Sequence, residues 1–71
     1  MDFQKLAEYR NTRNPYAAHI GIFVEEIRPG YARAVKTVGP EDLNPTGAVH
    51  GGCCFSLADA TCGSAMASRG Y

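Results

Sequence analysis

The chain has 71 residues, seven Lys plus Arg against seven Asp plus Glu, and 45% hydrophobic residues. A chain this short forms one small domain with a poor ratio of core to surface, so a staple, a metal or a partner chain is expected to complete its stability. The charges balance and are scattered, which excludes an electrostatic footprint for nucleic acid or an anionic membrane.

No apolar run is long enough to span a bilayer, and the N-terminal Met-Asp-Phe-Gln-Lys lacks a signal core. The expectation is a cytoplasmic protein. The odd set Cys53, Cys54 and Cys62 argues against a disulfide framework. A Cys/His zinc site with His50 lacks the paired spacings of structural zinc, so the cysteines read as free thiols packed as small apolar groups.

Phe3, Leu6, Ala7 and Arg10 stand at i, i+3, i+4 and i+7 and predict an amphipathic helix over 2–11. Asp2 can cap it. Pro15 disfavours a helical Asn14 and breaks it. His19–Ile27 reads as a strand, with Ile20, Ile22 and Val24 on one face and Phe23 and Ile27 on the other. Arg28-Pro29-Gly30 is a turn, and Tyr31–Val38 a second strand. The pair makes an antiparallel hairpin, marginal in water by itself. Gly39–Gly47 is a loop, and a helix runs from Cys53 to about Ser68. That helix is mostly Ala, Ser, Gly, Cys and Thr, with Phe55, Leu57 and Met66 as its large apolar residues. Small residues nearly all round predict a helix enclosed by other elements.

Asp59 is the only ionisable carboxylate between Gly51 and Ser68, where no lysine or arginine accompanies it. Three readings stay open: it faces solvent, it is held by structural hydrogen bonds, or it belongs to an active site. Gly51 and Gly52 at the helix start expose backbone N–H groups that the helix cannot satisfy. They leave room for a ligand, and the helix dipole favours negative charge there. This suits an oxyanion hole. An ordinary glycine-rich helix start or a phosphate site would share these features, although no GK[ST] follows.

Asn44-Pro-Thr-Gly-Ala-Val-His50-Gly51-Gly52, followed by Phe55-Ser56-Leu57-Ala58-Asp59, resembles the signature of the PaaI-type hotdog thioesterases, within the 4-hydroxybenzoyl-CoA thioesterase-like superfamily. The apolar strand, the Pro-Gly turn, the Ala-rich second strand and the N-terminal helix are similar too. The resemblance covers nearly all of 1–71 and the first half of a typical hotdog domain. It implies an α+β hotdog fold: an antiparallel sheet wrapped around a central helix, of which this sequence supplies the N-terminal helix, a two-strand hairpin and the central helix. The later strands, with a further Ser or Thr and the coenzyme A contacts, would lie outside this sequence, as in a sequence truncated from a longer protein.

The resemblance implies hydrolysis of acyl-CoA thioesters, aryl or short to medium, with no cofactor and no metal. Gly51 would donate its N–H to the thioester carbonyl. Asp59 would be nucleophile or general base, its basicity raised by a pocket of small apolar residues. Asn44 would help to orient the attacking group or the thioester. His50, supporting the loop, and Gly52 would stand on the substrate-binding side.

Gly51 and Asp59 are eight residues apart, roughly 12 Å of helical rise. One carbonyl cannot meet both, so the spacing predicts a site shared between two chains across a two-fold axis. The resembled family likewise implies a homodimer or homotetramer. Rival readings are a non-catalytic acyl-CoA-binding hotdog, an inert fragment that folds only with a partner, and a hotdog dehydratase or hydratase. The last is disfavoured because His50 precedes the helix and Asp59 lies within it. A cysteine nucleophile is disfavoured because no activating base stands near one in sequence.

Overall fold

A computed structural model describes residues 1–70. The elements in chain order are α1 (Phe3–Thr12), α2 (Pro15–Ile20), β1 (Ile22–Arg28), β2 (Tyr31–Lys36), a 3-10 turn (Pro40–Asp42) and α3 (Gly51–Ala67). The architecture is α+β, with one two-stranded antiparallel sheet.

Helix α1 starts where Asp2 accepts a hydrogen bond from Lys5 N–H at 3.1 Å, which satisfies one of the orphan donors of the first turn. The Asn14-Pro15 pair does more than break it. Asn14 accepts from Ala17 N–H at 3.1 Å, and Pro15 takes the first helical position. There a missing N–H costs nothing and a fixed φ helps. A second helix therefore forms, and it carries His19 and Ile20, which the sequence places in the strand. Gly21, at φ +83°, closes α2 in the left-handed conformation, and β1 begins one residue later.

The facial assignment of β1 also needs correction. Ile22 and Val24 are buried, and so is Ile27, expected on the opposite face. Val24 pairs with Ala34, but Glu26 rather than Glu25 pairs with Arg33. Glu25 is thus an extra residue, a β-bulge, and it resets the alternation so that Ile27 returns to the core face. Phe23 is left exposed. Pro29-Gly30 turns the chain, with Gly30 at φ +70°. Strand β2 ends at Lys36, two residues sooner than expected.

The core is small. Ala7 of α1 meets Val24 and Ile27 of β1, and Phe3, Leu6, Ala32 and Ala34 pack around them. Asn11 continues α1 toward the outer edge of β1. Its side chain accepts from Val24 N–H at 2.8 Å and donates to Val24 C=O at 2.9 Å. One amide side chain therefore pairs with the strand as a neighbouring strand would.

Helix α3 lies against β2 and β1. Its inner face is held by hydroxyls. Ser64, fully buried, accepts from Arg10 Nε at 2.9 Å. Ser68 accepts from Gly30 N–H at 2.7 Å. Arg10 approaches so near Gly63 that a Cβ there would stand 2.9 Å from its guanidinium, so a side chain at that crossing would have to displace the flexible end of Arg10. The enclosure predicted from composition is supplied on this side only. On the outer side Gly51, Phe55, Ala58, Asp59, Cys62 and Met66 form an exposed stripe, with Phe55 74% and Met66 56% accessible.

Candidate functional site

The segment from Asp42 to His50 folds back on itself before entering α3. His50 N–H donates to Asp42 C=O at 2.7 Å, Leu43 and Val49 form an antiparallel bridge, and Asn44 N–H donates to Ala48 C=O at 2.7 Å. Asn44 closes the tip. Its Oδ1 accepts from Thr46 N–H at 3.0 Å, Thr46 Oγ1 at 2.7 Å and Ala48 N–H at 3.1 Å. An asparagine that accepts three bonds within its own loop has a structural task there. What is left over for a ligand is the Nδ2 amide.

His50 is the N-cap of α3. Its Nδ1 accepts from Gly52 N–H at 2.8 Å, and its C=O accepts from Cys53 N–H at 3.0 Å. The acceptor role of Nδ1 places the ring proton on Nε2. Histidine thus does the work usually given to Ser or Asp. One donor in this first turn stays free: Gly51 N–H has no acceptor among the described residues. A Cβ built on Gly51 meets nothing within 4 Å, whereas one on Gly52 would stand 3.1 Å from His50 Nδ1. Gly51 therefore presents an unpartnered N–H with an open approach, and Gly52 is occupied.

Beside this turn lies an open cleft of about 190 Å³, bordered by Tyr16, Lys36, His50, Gly52, Cys53 and Ser56 among others. Tyr16 and Ser56 share a hydroxyl hydrogen bond of 2.8 Å across its rim. Its floor holds an ion pair that sequence reading missed. Lys36 Nζ lies 3.1 Å from Asp42 Oδ2, with the two side chains only 5% and 9% exposed. Gly39 N–H also donates to Asp42 Oδ2, at 2.8 Å. That backbone bond, reinforced by the Lys36 ammonium, holds the Asp42 carboxyl below its ordinary value against the opposing effect of burial. A signal was present: Lys36 follows Ala32 and Ala34 on the half-buried face of β2, and a lysine on such a face requires a partner.

The structure brings His50 and Gly52 to this cleft and sets Gly51 between them in sequence at the head of α3. It does not bring Asp59 there. Asp59 is exposed two turns further along α3, with no hydrogen bond or ion pair among the described residues. The apolar pocket expected around it is not formed by these residues. Cys53 is half-buried in the cleft wall, while Cys54 and Cys62 are exposed. Among the described residues no group of three or more His, Cys, Asp or Glu side chains is placed to hold a metal ion, and no helix is long and apolar enough to cross a membrane.

Fold and site together define an α+β chain in which a histidine-capped, glycine-initiated helix lies on an antiparallel hairpin. The chain belongs to the DUF4442 family, a domain of unknown function, whose family model matches residues 4–69. Neither a curated protein nor a solved structure matches it.

Proposed function

We propose that this chain carries the catalytic segment of a cytoplasmic hotdog-type thioesterase that hydrolyses acyl-CoA to the free acid and coenzyme A. The observation that carries the reading is Gly51 N–H, unpartnered and unobstructed at the positive end of a 17-residue helix. A thioester carbonyl gains negative charge on oxygen as it is attacked, and a fixed backbone donor at a helix N-terminus stabilises that charge.

The carboxylate comes from Asp59. Gly51 and Asp59 lie on the same exposed stripe of α3, separated by roughly 12 Å of rise. In a two-fold dimer with antiparallel α3 helices, Gly51 of one protomer stands beside Asp59 of the partner subunit, and two equivalent sites result. Phe55 and Met66, exposed on that stripe, become buried contact surface in such a pair. Asp59 either takes a proton from a water that attacks the carbonyl carbon, or attacks that carbon itself to give an acyl–aspartyl anhydride that water then hydrolyses to the free acid. On either route the carbon–sulfur bond breaks, and the thiolate leaves and takes up a proton. Asn44 offers its Nδ2 to the attacking group or the thioester, and His50 and Gly52 frame the substrate.

Hydrolysis of aryl and short- to medium-chain acyl-CoA, followed by release of free thiol, tests the reading. Asp59→Asn is expected to lower kcat at least a hundredfold with the melting temperature unchanged. Near-wild-type turnover in that variant refutes the assignment. Binding of acyl-CoA without thiol release by the wild type would point to a non-catalytic acyl-CoA-binding role instead.

A further inference from the structure

The Lys36–Asp42 pair lies at the bottom of the cleft but is too buried to take part in chemistry directly, with side chains 5% and 9% exposed. Its contacts run elsewhere. Lys36 Nζ donates to Ile20 C=O, in the last turn of α2, and pairs with Asp42 Oδ2. Carbonyls of a last helical turn lack intrahelical donors and favour a cation. One ammonium therefore joins the end of α2, the end of β2 and the 3-10 turn. These are separate pieces of chain with no backbone hydrogen bond linking the three.

Asp42 passes this constraint on. Its carboxylate is held by Lys36 and by Gly39 N–H, while its own C=O accepts His50 N–H at 2.7 Å. His50 in turn fixes the first turn of α3 twice, through Nδ1 to Gly52 and through C=O to Cys53. Gly51 sits between His50 and the anchored Gly52. Its amide plane is shared with His50 C=O, so any shift of Asp42 is handed to Gly51 N–H through one peptide and one hydrogen bond. Among the described residues that line the cleft, Lys36 is accompanied by no other lysine or arginine.

We infer that Lys36 and Asp42 are positioning residues: the buried ion pair aims the Gly51 N–H by clamping the Asp42–His50 segment to the ends of α2 and β2. The inference rests on the reading of Gly51 as the oxyanion donor, and it assigns the pair no contact with substrate. Removing the pair leaves the carbonyl-binding group present but misdirected. Such a defect lowers turnover more than binding, because a misaligned donor loses the charge that develops during attack.

The test is Lys36→Met, which keeps an unbranched side chain one atom shorter and removes the charge. The His50 and Gly51 amide signals in a two-dimensional ¹⁵N–¹H spectrum are expected to move, while those of Ser64 and Met66, at the far end of α3, stay in place. In hydrolysis of acyl-CoA, kcat is expected to fall about tenfold with KM within twofold of wild type. A Gly51 amide that keeps its wild-type position in the folded variant overturns the inference. If Lys36→Met does not fold, Asp42→Asn, which retains a side-chain acceptor for Gly39 N–H, is read the same way. Unmoved amides in a protein that hydrolyses thioesters refute the clamp alone. Moved amides in a protein that hydrolyses none uphold the clamp and refute the thioesterase reading.

Discussion

Replacing Gly51 by proline deletes one hydrogen-bond donor and little else. Gly51 is the first helical residue after the N-cap His50, the position where proline is best tolerated, since its N–H has no intrahelical acceptor. The residue before a proline must be extended, and His50 already is, at φ −63° and ψ 136°. No atom lies within 4 Å of a Cβ at this site. A proline in a compatible conformation stabilises by about 0.4–1 kcal/mol, chiefly by restricting the unfolded chain. For a domain of this size that raises the melting temperature by roughly 2–8 °C. Loss of a single oxyanion donor costs about 10²–10³ in kcat, or about 2.7–4 kcal/mol of transition-state stabilisation. The variant is therefore expected to melt higher and to turn over far more slowly, as read by circular dichroism and by thiol release. Wild-type turnover would refute Gly51 as the donor. A lower melting temperature would refute the geometry assigned to the start of α3.

Gly51→Pro and Asp59→Asn together test the shared site: random mixing of the two inactive variants is expected to restore roughly a quarter of wild-type activity, because half the dimers are mixed and each has one intact site. Gly52→Ala should lack the stabilisation expected of Gly51→Pro. The cost of disturbing the His50 cap, about 1 kcal/mol, offsets most of the gain from replacing a helical glycine, so its melting temperature should stay within a few degrees of wild type. Ser64→Ala removes the buried partner of Arg10; the half-exposed guanidinium can rehydrate, so about 1–2 kcal/mol of stability is expected to go, measurable by urea denaturation. The depressed Asp42 carboxyl stabilises the folded chain fully above its ordinary value of 3.8, and that contribution is lost as pH falls below it through the folded value. Between pH 6 and pH 3 the wild type should therefore lose more unfolding free energy than Asp42→Asn.

The legible parts of this fold are those written in local pattern. Asp2, with Phe3, Leu6 and Ala7 at helical spacing, fixes α1, and Pro29-Gly30 between two β-rich runs fixes the hairpin. Helix α2 is hidden because Asn14-Pro15 signals both an end and a beginning, and the pattern of α1 makes only the end visible. The bulge at Glu25 left no mark in composition, since its cause is pairing across the sheet. In the site, Gly51 and Gly52 were legible from the helix start and His50 from the resemblance of the Asn44–Asp59 motif. The role of His50 as cap, the satisfied Oδ1 of Asn44 and the Lys36–Asp42 pair were not, because each depends on a distance set by the folded loop. Asp59 shows the opposite limit. Its isolation in sequence leaves solvent, a structural role and an active site all open, and among the described residues its surroundings are solvent.

Asn11 gives the hairpin a direction of growth. Its amide occupies the outward-facing N–H and C=O of Val24 on β1, whereas the backbone of Tyr31–Lys36 has no hydrogen bond outside the hairpin among the described residues. A strand arriving to lengthen the sheet finds one margin sealed by a side chain and the other ready to pair. The hairpin is thus a template with a single working edge. Pairing beside β2 meets free backbone groups, whereas pairing beside β1 at Val24 must first displace the Asn11 amide.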